Sequence, residues 1–333
     1  MADRLYIGID LGTYQSTITA SNGKGGTVET VVGKPKDPIA RNFLKRDTLF
    51  GGDALKNKLA CNLYRPLAAG VAQDDENNLA AAKAFVTHMV ESVDPEDFDE
   101  VYGVICSPSH ISFVDKSNLV SILRGQVNAI MVVSEPFAVA YGLGEIGGSI
   151  VVDIGAGTTD VCRMYGTFPN DEDEVTFHEA GDWIDEELKV LVEKKYTGAQ
   201  LTKDMVRQWK EEGSYVGDER EMMVELSVDG KKQVVDIGDL VGIACAGVVM
   251  PIVNAVKGIV AGADPEYQPM MRNNIILAGG GSLIDGLADA VAEGLADIGD
   301  VSVWCAEDPV TKVAEGALTL AGDMPDDQFT AIN

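Results

Sequence analysis

The sequence predicts an α/β protein assembled from two copies of one domain plan. Three observations carry the prediction. Apolar, strand-like runs alternate with helix-like segments through most of the 333 residues, the pattern of an α/β architecture. A strand that ends in Asp-x-Gly with Thr close behind occurs twice, as YIGIDLGTYQST at 6–17 and SIVVDIGAGTTDV at 149–161. A further apolar strand, NIILA at 274–278, runs straight into GGGS.

In chain order, the first strand leads into the turn at Asp10. Residues 101–106 (VYGVIC) read as a buried strand, and 129–133 (AIMVV) as another. Ser134 is placed as an N-cap, with Pro136 in the first turn of a helix through PFAVAYGL. The strand 150–152 carries the second turn. After 274–278, Ile284, Leu287, Ala288, Val291 and Leu295 recur at helical spacing, with Ser282 placed to cap that helix and Asp285 three residues on. The acidic runs at 93–100, 168–174 and 217–221 read as solvated loops, and the tail 323–333 as a frayed end.

Charge and residue counts exclude several classes. Lys and Arg number 26 against 53 Asp and Glu, a formal net charge of −27. That argues against nucleic acid or an anionic membrane as the main partner, and makes self-association depend on screening by salt or divalent ions. The five cysteines are scattered, with no CxxC pair. They suggest neither a disulfide framework nor a zinc site, and a reducing cytoplasm is the plain reading. The three histidines are equally scattered, so a His-based triad is not expected. No secretory signal is read in the opening residues. The apolar stretch 240–263 is interrupted by Pro251, Asn254 and Lys257; it reads as a buried helix rather than a span, which needs about 20 apolar residues.

The two turns are suited to phosphate. Glycine permits a tight turn and close approach of a ligand. The turn's N–H groups form a nest for anionic oxygens, a threonine hydroxyl can donate to them, and aspartate can order water around Mg²⁺. Alone, either turn is a strand end with a hydrogen-bonded aspartate. Asp10 and Asp153 lie 143 positions apart, too far for a solenoid repeat but suited to a duplicated domain. As a pair, the turns could clamp a polyphosphate and place both aspartates near one metal ion. The GGGS stretch taken alone marks a close helix–strand crossing; it fits neither the Rossmann nor the P-loop spacing. Glu135 is either a first-turn carboxylate facing the helix dipole or a ligand-side group at the C-terminal end of a strand.

Taken in order, these four stretches resemble the actin, Hsp70 and sugar-kinase ATPase superfamily. The phosphate-1 motif corresponds to 10–15, the first connecting motif to 134–144, the phosphate-2 motif to 153–160 and the adenosine motif to 277–284. Within the superfamily the chain is similar to the bacterial actins, and among them to the magnetosome-filament branch. The stretches that carry this are VVGKPKDPI, YRPLAAGV, VVSEPFAVAYGL, VVDIGAGTTDVC, GTFPNDEDEVTFHEAGDWIDEEL and PEYQPMMRNNIILAGGGSLIDGL.

The resemblance implies an actin-like fold: two RNase H-like α/β domains around a nucleotide cleft, each with a smaller inserted subdomain. Domain I would span 1–133 plus 308–333, with its insert at roughly 33–70. Domain II would span 134–307, with its insert at roughly 181–236. ATP or ADP and Mg²⁺ would be the cofactors. Gly12, Thr13, Tyr14 and Gln15 would cradle phosphate on one side, and Gly155, Ala156, Gly157 and Thr158 on the other. Asp10 and Asp153 would hold the hydrated metal. Glu135 would orient the attacking water, sharing the catalytic role with Asp153. Lys210 and Glu211, in the segment RQWKE, would flank the nucleoside. Gly279, Gly280, Gly281 and Ile284 would lie against it, and Gly181 by the ribose. Two positions depart from relatives: Gln15 stands where the residue varies, and Ala156 where many have Gly or Asp, so Ala156 offers only its backbone N–H.

The implied function is a cytoplasmic cytoskeletal ATPase that polymerises with ATP and Mg²⁺ and disassembles after hydrolysis, positioning magnetosomes or another cargo. Its partners would be copies of itself and cargo adaptors, with no nucleic acid and no membrane insertion. A plasmid-segregating or cell-shape actin is the alternative, and a small-molecule kinase of the same fold a more distant one. An Hsp70-like chaperone would need a peptide-binding domain after the ATPase region, for which the sequence leaves no room.

Overall fold

The computed structural model describes residues 3–68, 71–72 and 75–332. Part of the stretch YRPLAAGV, Ala69 and Gly70, lies outside the described residues. The chain divides into two compact units, Met1–Glu145 with Thr311–Asn333, and Ile146–Val310.

The first unit is built on a six-stranded sheet. Arg4–Asp10 pairs antiparallel with Gln15–Ala20, which pairs antiparallel with Gly25–Glu29. On its other side Arg4–Asp10 runs parallel to Glu100–Ser107, and that strand parallel to Ala129–Ser134. Leu5, Ile7 and Ile9 alternate inward and are fully buried with Phe85, Met89 and Leu123 from the covering helices, as the two-residue period of a strand requires. A separate three-stranded sheet (Val32–Pro35, Leu49–Phe50, Cys61–Tyr64) has its own small core of Val31, Leu49, Ala54 and Cys61.

The helix Glu135–Leu143 belongs to this first unit because it packs on the C-terminal helix Lys312–Asp323. The two backbones meet where both carry glycine: a Cβ on Gly142 would come within 2.7 Å of Gly316 Cα. That contact carries the unit's boundary past the end of the helix, to Glu145. At the helix start Ser134 does occupy the N-cap with extended backbone, but its side chain makes no capping bond; Pro136 sets the first turn instead.

The second unit repeats the plan. Ile150–Ile154 pairs antiparallel with Thr159–Arg163, that strand antiparallel with Glu174–Phe177, and Ile150–Ile154 parallel with Ile275–Ala278. Val303–Cys305 then lies parallel to Ile275–Ala278. Both sheets are thus a three-strand antiparallel meander whose first strand continues into parallel crossovers. The duplication expected from the paired turns is present as topology. A two-stranded hairpin, Met223–Val228 with Lys231–Asp236, stands apart from the main sheet.

Residues 238–261 are the one stretch among the described residues long and apolar enough to cross a membrane by length and composition. It forms two helices, Gly238–Ala246 and Val249–Ala261, whose Val241, Cys245, Ile252, Val253 and Val256 are buried in the second unit's core.

Three local expectations are corrected. The tail is not frayed: Thr330–Ala331 pairs antiparallel with Ala129–Ser134, and Ile332 is buried in the first unit's core. Burial of Ile332 and the Arg4–Asp326 ion pair (2.7 Å) hold it. The acidic run at 168–174 is not wholly solvated: Asp173 and Glu174 are buried, and Asp173 accepts from Arg163 at 2.7 Å. A buried guanidinium needs that carboxylate. Ser282 does not cap a helix. Gly280–Leu283 is a 3₁₀ turn in which the Ser282 hydroxyl donates to Gly279 O at 2.7 Å. The helix starts only at Leu287, after Gly286 takes a left-handed φ of 77°.

Candidate functional site

Each unit presents one Asp-x-Gly turn at the C-terminal end of a central strand. In the first unit, Asp10 ends Arg4–Asp10 opposite Cys106, and Glu135 follows Ser134, which is opposite Ser107. Asp10 and Glu135 therefore follow two strands separated by one. At about 4.8 Å per strand their backbones are on the order of 10 Å apart. Glu135 is buried at 8% exposure. Desolvation pushes the Asp10 carboxyl up to about 7, because removing water penalises its charged form. The turn itself is tight: a Cβ on Gly12 would overlap Gln15 O. Thr13 and Tyr14 complete it, and Gln15 opens the return strand with its side chain exposed.

In the second unit, Asp153 is 4% exposed and its backbone is opposite Ala278. This register brings the predicted adenosine stretch beside the predicted phosphate turn. Gly279 has φ 72°, and a Cβ there would overlap Asp153 Oδ1; one on Gly281 would overlap the Ile154 side chain. At Gly280 a Cβ would meet nothing within 4 Å. Two of the three glycines thus admit Asp153 and Ile154, and the middle one is open. Ile284 is buried in the core.

The turn 155–158 closes on itself through Gly155 N–H donating to Thr158 O at 2.9 Å. Its carbonyls are then tied to the helix Gly181–Lys195: Gly181 N–H donates to Gly155 O (3.1 Å) and Asp182 N–H to Ala156 O (2.7 Å). Gly181 in turn accepts from Lys210 Nζ at 2.8 Å. A side chain at 181 would press on Ala156 Cα, Gly155 O and Lys210 Nζ together.

Lys210 lies on the helix Lys203–Gly213, which buries Val206 and Trp209. It pairs with Asp185 at 2.7 Å, and Arg207 pairs with Asp185 at 2.9 Å and with Asp182. Glu211, on the same helix, is exposed and outside this cluster. Within the second unit the structure therefore gathers Asp153, Gly155, Ala156, Gly181, Lys210, Gly279 and Gly281, and leaves Glu211 apart. Asp182 and Asp185 were missed in the sequence. The signal available was their i, i+3 spacing against Arg207 and Lys210, also i, i+3, on a second amphipathic helix.

The profile of the MreB/Mbl protein family matches residues 4–328. The chain belongs to the MreB/Mbl family. Its similarity runs through actin-like members: it is 37% identical over 325 residues to the actin-like protein MamK of Paramagnetospirillum magneticum, covering 97% of this chain and 94% of that one. Among solved structures it is similar to the MamK double helical filament, with TM-score 0.94, 36% identity and coverage of 97% of this chain and 100% of that one. It is also similar to a non-polymerising MamK mutant bound to AMPPNP, with TM-score 0.75, 35% identity and the same coverages. The fold is actin-like, as expected from the order of the four motifs.

Proposed function

We propose that this MreB/Mbl family member is a filament-forming, magnesium-dependent ATPase whose polymer positions intracellular cargo, magnetosomes being the cargo its MamK likeness suggests. The observation that carries the reading is the likeness to the MamK filament subunit across 97% of this chain. Open filaments follow when one surface of a subunit binds a different surface of the next without closing a ring.

The residues fit a magnesium nucleotide. Asp10 is the last residue of its strand and Asp153 the last but one of the equivalent strand; desolvation raises the Asp10 pKa, and a bound cation would favour its charged form. Among the described residues no three His, Cys, Asp or Glu side chains form a metal cage, which suits an ion that keeps its waters and binds through one or two carboxylates and phosphate. When bound, ATP·Mg supplies the phosphoryl group and the charge neutralisation. The chain supplies placement. Gly12 to Gln15 and Gly155 to Thr158 offer N–H groups and hydroxyls to phosphate. Glu135 orients a water for in-line attack, with Asp153 assisting. Gly181, Lys210 and Gly279 to Gly281 lie toward the nucleoside, with Glu211 at its exposed margin and Ile284 supporting the glycine turn.

On this reading the three-stranded sheet within roughly 33–70 and the segment of roughly 181–236 are the small subdomains of two actin domains, and the polymer is cytoplasmic. The net charge of −27 makes assembly strengthen with added K⁺ or Mg²⁺ as repulsion is screened. Negative-stain microscopy and pelleting with and without ATP·Mg test the reading. Filaments that need nucleotide, with phosphate released as they form, support it. Dispersed particles that transfer phosphate stoichiometrically to a small molecule overturn it.

A further inference from the structure

The first phosphate turn is held from behind by one residue that no motif contains. Thr30 follows the strand Gly25–Glu29 and is fully buried, as is Ser16. The Thr30 hydroxyl donates to Gly12 O at 2.8 Å, and the Thr30 N–H donates to Tyr14 O at 2.7 Å. Ser16 Oγ lies 2.8 Å from Thr30 Oγ1 and 3.4 Å from Gly12 O.

A hydroxyl has one proton to give. Since Thr30 spends its own on Gly12 O, the Ser16 hydroxyl has Thr30 Oγ1 as its nearer acceptor at 2.8 Å and Gly12 O as its longer one at 3.4 Å, and the hydroxyl chain leads to Gly12 O. Thr30 therefore grips the two carbonyls that flank Thr13 and Tyr14. In a trans peptide the carbonyl and the following N–H point in opposite directions. With Gly12 O and Tyr14 O turned toward Thr30, the N–H groups of Thr13 and Gln15 are turned away from it. Those donors, on one outer side of the turn, are what an anionic oxygen requires.

We propose that Thr30 is a positioning residue for nucleotide: it orients the turn 12–15 so that its N–H groups meet the terminal phosphates of a nucleoside triphosphate. The proposal rests on the ATP-binding reading above. Thr30 touches no phosphate itself; it acts through the Gly12 and Tyr14 carbonyls.

The test compares the parental chain, Thr30→Val, Thr30→Ser and Ser16→Ala. The affinity for ATP·Mg, and KM and kcat for phosphate release, are measured on each, with melting recorded in the absence of nucleotide. Loss of one buried hydrogen bond predicts about five- to tenfold weaker binding and higher KM in Thr30→Val, with kcat within about twofold because Glu135 is untouched. Thr30→Ser restores both. Parental affinity in Thr30→Val, or equal impairment in Thr30→Ser, overturns the positioning role while leaving the ATPase reading intact. A parental chain that binds no ATP overturns the ATPase reading and this proposal with it. If Thr30→Val does not fold, Ser16→Ala decides: about threefold weaker binding supports the hydroxyl chain, and parental binding overturns it.

Discussion

Gly279 lies directly against Asp153: a Cβ at position 279 would overlap Asp153 Oδ1 and the Ile154 carbonyl oxygen. The contact follows from the parallel register that places Ala278 opposite Asp153. Gly279→Ala must both hold φ 72° and displace that carboxylate. The expected outcome is a loss of about 2 kcal/mol in the second unit's stability and weakened Mg²⁺-dependent ATP binding. Thermal melting and ATP titration check it; parental binding in a folded variant would count against Asp153 as a metal partner.

Glu135 is buried at the head of its helix. Glu135→Ala is expected to slow phosphate release by about 10²-fold or more, the scale of one positioned proton acceptor, while assembly persists. Filaments should then outlast those of the parental chain. Phosphate release alongside pelleting separates the two effects, and release at the parental rate would remove Glu135 from the reaction.

Arg163 and Asp173 form a pair with each side chain 10% exposed. Asp173 also accepts from Asn170 N–H at 2.8 Å. Arg163→Met leaves that carboxylate buried without its cation, and a loss of about 3–4 kcal/mol is expected. Arg163→Met with Asp173→Asn should recover part of it. Denaturant midpoints on the parental chain, the two single variants Arg163→Met and Asp173→Asn, and the double variant measure the recovery.

His88 stacks on Phe50, with ring centroids 4.3 Å apart and planes within 8°. Burial pushes its pKa below the ordinary histidine value, and the charge of Glu91 partly opposes this. The folded chain therefore holds the proton less readily than the unfolded one. The stability tied to this group is present above the ordinary value, near pH 6.5, and is lost as the pH falls below it. His88→Gln is expected to flatten the acid side of the melting profile between pH 7 and 5, compared with the parental chain at each pH.

The clip on the C-terminal strand is also testable. Arg4 pairs with Glu100 at 2.9 Å and Asp326 at 2.7 Å, and its guanidinium lies 3.8 Å from the Tyr102 ring centre. Asp326 is exposed, so Arg4→Ala should cost only about 1 kcal/mol globally. Its larger effect should be local: faster hydrogen exchange at residues 330–332, read by mass spectrometry.

Much of the architecture was legible in the sequence because it depends on local periodicity and punctuation. Asp10, Asp153, Glu135 and the three glycines stand where an apolar run stops, and the recurrence of Asp-x-Gly with Thr close behind in two runs announced a duplicated plan. Tertiary structure decided what those residues touch. Only strand register puts Gly279 on Asp153. Only the packing of two helices joins Lys210 to Gly181 and leaves Glu211 in solvent. Thr30 carries no motif, and its hold on Gly12 exists because a strand returns beside the turn. The tail reads as polar and frayed, yet Ile332 is buried, since one apolar residue gains a partner only when a sheet edge is there to receive it. Periodicity records which face of an element is apolar; it does not record what the folded chain brings against that face.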